Sequence, residues 1–128
     1  MNSRHVLIAA GILGVTGVAL GAFGAHGLRE FLLERGTTNA WETAARYHLL
    51  HSIALLALGF GLKQTNADAH WLARAARAWI VGVVLFAGSL YALALGGPRW
   101  LGPITPLGGV CLLLGWLSVV IAGLKKES

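Results

Sequence analysis

Residues 6 to 25, VLIAAGILGVTGVALGAFGA, carry no charge over twenty positions and place glycine at 11, 14, 17, 21 and 24. At about 1.5 Å of rise per residue, a helix of this length spans about 30 Å, the thickness of a bilayer's hydrocarbon core. So many glycines weaken a helix in water, whereas in lipid they let a second helix approach until the backbones touch. The run therefore predicts a membrane-spanning helix packed against others. A secretory signal core is shorter than this, and further apolar runs follow, so Arg4 ahead of the run and Ala22-Phe23-Gly24 within it are not read as a cleaved leader.

The rest of the chain has the same character. Hydrophobic residues make up 56% of its 128 positions and charged ones 12%, against about 25% charged in soluble domains. One integral membrane domain over 1–128 is expected. Cys111 is the single cysteine, which excludes an internal disulfide and a cysteine metal cluster. The formal charge of +5 comes from ten Lys and Arg placed around the ends of apolar runs. That placement suits anionic lipid head groups and argues against nucleic acid as a partner.

Three more uncharged stretches, 47–62, 78–98 and 100–124, follow the first. The expected fold is an all-α membrane protein: four transmembrane helices in an antiparallel bundle, with spans at about 6–26, 44–62, 78–97 and 106–124 and a short interfacial helix between the first two. Asn39 with Glu42 resembles a capping box, and Glu42 with Arg46 an i,i+4 pair, so the second helix is expected to begin near Ala40. The third is expected near Ala69, with Asn66 and Asp68 as caps and Trp79 marking the membrane interface. Pro98, Pro103 and Pro106 predict a loop over 98–105 with Pro106 at the first helical position. LREFLLER at 28–35 sets Leu28, Phe31 and Leu32 on one face and ends at Gly36, as a helix lying on the bilayer would. Four spans put both termini on one side. Arg4, Lys63, Arg74, Arg77, Lys125 and Lys126 accompany them there, against Arg29, Arg35, Arg46 and Arg99 opposite, which predicts cytoplasmic termini in the cell inner membrane.

The same topology brings the end of span one, the start of span two, the end of span three and the lead-in to span four to one membrane face. Polar residues gather in those parts of the chain: His26, Tyr47, His48, His51, Ser89, Tyr91 and Thr105. A polar side chain inside a span needs a partner in the bundle or a wet cavity. His48 and His51 are spaced i,i+3 and His26 arrives from the neighbouring helix end, so a metal or haem site is one reading. The other is that each imidazole bonds a carbonyl or hydroxyl and joins helices. No carboxylate lies within a span to complete a ligand set. The glycines read as packing positions, chiefly Gly14, Gly17, Gly21, Gly24, Gly88, Gly108 and Gly109, either between the chain's own helices or across a dimer. Ser89, in FAGSLY, lacks the G-x-S-x-G setting of a nucleophile, and no residue is assigned a catalytic role.

GAFGAHGL at 21–28, YHLLH at 47–51, FAGSLY at 86–91 and TPLGG at 105–109 followed by GW at 115–116 occur in this order over nearly the whole chain. As a set they resemble the DUF423 family of small integral membrane proteins. The resemblance implies a polytopic membrane protein and brings no established activity. It matches Gly21, Phe23, Gly24, His26, Tyr47, His51, Gly88, Ser89, Tyr91, Thr105, Pro106, Gly108 and Gly109, and leaves His48 outside the pattern.

The expected function is accordingly a non-enzymatic membrane protein that binds a small ligand, a lipid or a partner protein at His26, Tyr47, His51, Ser89, Tyr91 and Thr105, near the non-cytoplasmic face. One alternative is a redox or enzyme subunit with metal or haem on His26, His48 and His51. Another is a small transporter or channel. No cofactor is expected under the leading reading, and the partners are the bilayer and either a second copy or another membrane protein.

Overall fold

In the computed structural model, which describes residues 1–64 and 69–125, five α-helices and one 3-10 turn are present among the described residues. They are α1 (Ser3–Ala25), α2 (Arg29–Arg35), α3 (Thr38–Gln64), α4 (Ala69–Ala94), the turn Arg99–Leu101, and α5 (Ile104–Leu124). Four of them are long and apolar enough to cross a membrane. They form the antiparallel bundle, with α1 packed on α3, α3 on α4 and α4 on α5.

The inner helices, α3 and α4, carry the core. Buried positions on α3 run Trp41, Ala44, Ala45, His48, His51, Ser52, Leu55, Leu58 and Gly59, a three-and-four spacing that draws one stripe along a helix. On α4, which lies between α3 and α5, the buried positions are Ala75, Ala76, Trp79, Gly82, Val83, Ala87, Ser89, Tyr91 and Ala94, and they fall on more than one side of the helix. The outer helices expose isoleucine, valine and leucine over most of their circumference, as at Ile12, Val15, Val18, Leu113 and Leu117. In lipid this costs nothing, because a leucine side chain is no more apolar than an acyl chain.

Glycine decides where the helices touch. A Cβ at Gly108 would overlap the backbone of Phe86, one at Gly17 would press on Leu49 and His48, and those at Gly24 and Gly115 would strike the indoles of Trp41 and Trp79. Gly21 and Gly109 make ordinary contacts, while Gly14 and Gly88 face open space. The last two are therefore not packing positions within this chain.

Several boundaries differ from the sequence expectation. Helix α3 starts at Thr38, and the carbonyl of Thr37 accepts from the Trp41 N–H, so Thr37 occupies the capping position and Asn39 lies inside the helix. The Thr37 hydroxyl donates to the Ala94 carbonyl (2.8 Å), which the Arg35 Nε–H also reaches (3.3 Å), tying the first loop to the end of α4. Helix α5 begins two residues before Pro106, which the first turn tolerates because its N–H groups have no intrahelical partner. The interfacial helix forms, and Gly36 ends it at φ 69°, the left-handed conformation that favours glycine. Its expected apolar face is divided: Leu32 is buried, while Phe31 is exposed beneath the Arg35 guanidinium. Trp79 does not face the surroundings of the bundle. It is 2% exposed, and its indole N–H donates to the Leu112 carbonyl (3.2 Å) in the notch made by Gly115. The expected caps Asn66 and Asp68 lie outside the described residues.

Candidate functional site

The polar residues expected to form one cluster form three separate arrangements. The first joins α1, α3 and α4. The Thr16 hydroxyl donates its one proton to the Ile12 carbonyl (2.9 Å) and so accepts from His48 Nε2 (3.1 Å). That leaves His48 Nδ1 as an acceptor for the Tyr91 hydroxyl (3.0 Å). The resulting chain, Tyr91 to His48 to Thr16 to a helix carbonyl, is satisfied throughout with a neutral imidazole. Trp41 covers it, its ring 4.7 Å from that of Tyr91 and its N–H donated to the Leu20 carbonyl (2.9 Å).

The second arrangement joins α3 and α5. His51, 4% exposed, donates from Nδ1 to the Tyr47 carbonyl (2.8 Å) and accepts at Nε2 from the Trp116 indole N–H (3.1 Å). Its tautomer is thus opposite to that of His48. Trp79 packs 4.5 Å from Trp116, ring to ring, and edge-on to His51. Beside this cluster a groove of about 460 Å³ lies between α3, α4 and α5. Tyr47, His51, Phe86, Gly109 and Trp116 line it, with Pro106 at one end. The third arrangement is a hydroxyl pair between α4 and α5: Ser89 bonds Thr105 and donates to the Phe86 carbonyl.

Of the expected ligand residues, Tyr47 and His51 share the groove, Ser89 and Thr105 bond each other, and Tyr91 belongs with His48 on the far side of α4. His26 ends α1 as an exposed residue and joins none of these. The expected metal set of His26, His48 and His51 does not come together, and among the described residues no three His, Cys, Asp or Glu side chains are grouped to hold an ion. Both nitrogens of His48 are already engaged in bonds that join helices, and those of His51 in one bond within α3 and one to α5. His48, outside the family pattern, is central to the first arrangement. Thr16 and Trp41, which the sequence reading did not single out, complete the networks together with Trp116 of the GW pair. For Thr16 a signal existed, since it is the one hydroxyl in the middle of the first apolar run.

What the groove can do follows from these bonds. The polar atoms of His51 and Trp116 satisfy each other, so the rings present carbon and π surface. The groove's chemistry is aromatic and apolar, opening sideways between helices.

No solved structure matches this chain. A membrane protein of Staphylococcus epidermidis named UPF0382 is 44% identical over 110 residues, covering 84% of this chain and 85% of the relative. A UPF0382 membrane protein of Haemophilus influenzae is 36% identical over 128 residues, with 100% and 99% covered. The UPF0382 inner membrane protein YgdD of Escherichia coli is 38% identical over 130 residues, with 99% and 95% covered. Residues 20–109 match the family described as "Protein of unknown function (DUF423)". With four spans and relatives of this kind, the chain is a multi-pass membrane protein of undefined activity, and it belongs to the DUF423 family.

Proposed function

We propose that the protein is a non-enzymatic lipophile-binding protein of the inner membrane, holding the tail of a lipid or an isoprenoid-like molecule in the groove between α3, α4 and α5. One observation carries the reading: the groove's volume of about 460 Å³ falls within the roughly 300–1,000 Å³ of small-molecule sites, and its walls are aromatic with a single hydroxyl, that of Tyr47. Satisfied histidines give such a site shape without charge, which favours a tail over an ion. The excess of Lys and Arg beside the termini supports cytoplasmic ends, in which case the groove opens in the outer leaflet. The relative from E. coli carries the name of an inner membrane protein.

Native mass spectrometry of the protein released from membranes tests this. Wild type is expected to retain one lipophile that Gly109→Leu loses. Gly109 suits the purpose because a Cβ there meets only Phe86, at 3.8 Å, so the longer side chain enters the groove and not the helix contact. Equal retention by the two proteins, or none by either, overturns the proposal.

A further inference from the structure

The start of α4 and the end of α5 meet at the end of the bundle that carries the termini. There Trp71, in the first turn of α4, receives a cation from each helix. The Arg74 guanidinium lies 4.7 Å and the Lys125 ammonium 5.4 Å from its ring centroid, and His70 packs edge-on to the same indole. We propose that this surface docks the phosphate of an anionic phospholipid, held between Arg74 and Lys125.

The first reason is that two like charges share one ring. Both distances run to the same centroid, so the charges lie within about 10 Å of each other, one Debye length at roughly 0.1 M salt. Each is attracted to the indole face, and each repels the other. An anion between them is attracted by both. No carboxylate among the described residues offsets the pair: Glu30, Glu34 and Glu42 belong to α2 and the first turns of α3, at the opposite end. Asp68 and Glu127 lie outside the described residues, yet they cannot balance an end to which the sequence also gives Arg4, Lys63, Arg77 and Lys126.

The second reason is depth. Arg74 stands four residues, about 6 Å, ahead of the uncharged stretch 78–98, and Lys125 directly follows the stretch 100–124. Head groups occupy roughly the 5–7 Å beyond each face of the hydrocarbon, so both cations sit among phosphates. Val120 and Leu124, exposed on the last turns of α5, meet acyl chains just below. A guanidinium grips phosphate through two parallel hydrogen bonds, and an ammonium adds a point charge. A zwitterionic lipid fits less well because its own ammonium repels the pair, which leaves a lipid of net negative charge. Arg4 and Arg77 stack on no ring among the described residues, and Lys63 has the Phe60 ring to itself. Only on Trp71 does one side chain hold two cations for a shared anion.

The test titrates the full protein in detergent with phosphatidylglycerol or with phosphatidylcholine of the same acyl chains, read by native mass spectrometry. Wild type is expected to retain one phosphatidylglycerol with an apparent affinity about tenfold or more above that for phosphatidylcholine, as two basic residues at a membrane surface provide. Arg74→Gln with Lys125→Gln should abolish that preference, whereas Arg74→Lys with Lys125→Arg, which keeps both charges, should retain most of it. Arg4→Gln with Lys63→Gln makes the same change of charge at the same end and should leave the preference within about twofold of wild type. Gly109→Leu, which fills the lipophile groove, should not alter it, so the two sites are tested separately. Three results overturn the proposal: equal retention of the two lipids by wild type, an equal loss in the Arg4 and Lys63 variant, or displacement of the lipid by inorganic phosphate beyond that by chloride at the same ionic strength.

Discussion

Replacing Gly108 by alanine adds one methyl at the closest approach of α4 and α5. Its Cβ would overlap the backbone nitrogen of Phe86 and lie 2.7 Å from the Phe86 Cα, where carbon atoms prefer about 3.5–4.0 Å. A side chain could rotate away; a helix backbone cannot. The two helices must therefore separate by about 1 Å. Overpacking of this kind costs about 1–3 kcal/mol, and the immovable neighbour puts this case at the upper end. Separation also strains the Ser89 to Thr105 bond, one turn away, and an interhelical bond in a membrane is worth about 0.6 kcal/mol. The expected loss is about 3–4 kcal/mol. Gly88 provides the control within the same interface region, because a Cβ there meets nothing within 4 Å. Alanine at 88 should be neutral or stabilise by up to about 1 kcal/mol through helix propensity. Both are read from unfolding in mixed micelles with rising dodecyl sulfate, followed by tryptophan emission. If Gly108→Ala unfolds within about 0.5 kcal/mol of wild type, or Gly88→Ala is equally damaging, the assignment of the α4 to α5 contact is wrong.

The two buried histidines should show opposite neutral tautomers in nitrogen NMR of histidine-labelled protein, Nε2–H at His48 and Nδ1–H at His51; matching tautomers would contradict the hydrogen-bond directions. Thr16→Val and Tyr91→Phe, each combined with His48→Ala in a double-mutant cycle, should reveal couplings of about 0.6–1.7 kcal/mol, and additive losses would mean that the chain does not hold α1 to α4. Trp79→Phe should cost about 1 kcal/mol by leaving Leu112 without the indole N–H, whereas Gly115→Ala should cost more because it drives α5 off the ring; equal stabilities of these two variants and wild type in the same unfolding assay would refute the notch.

The four spans were legible because an uncharged run of this length has few destinations other than a bilayer. Ends were harder to read. Asn39 and Glu42 match the pattern of a cap, yet Thr37, just ahead, holds the position and spends its hydroxyl on Ala94, a contact between distant parts of the chain. The surroundings of Trp79 were hidden for a related reason: tryptophan in a membrane sequence favours the interface, and the glycine notch and the α5 carbonyl that bury its ring are revealed only by the packing.

The division of the polar cluster has a geometric cause that the helix repeat already contains. Ser89 and Tyr91 are two residues apart, hence about 200° apart around α4, and cannot face one site. Because α4 lies between α3 and α5, the two residues serve different interfaces: Tyr91 reaches His48, and Ser89 reaches Thr105. His48 and His51 are closer in angle, about 60°, yet that is enough for an inner helix to turn one toward Thr16 on α1 and the other toward Trp116 on α5. Topology places residues at a depth in the membrane; angle assigns them a neighbour. A shared site among these spans therefore requires residues close in both coordinates. Tyr47 and His51, at i,i+4 along the groove, meet that condition.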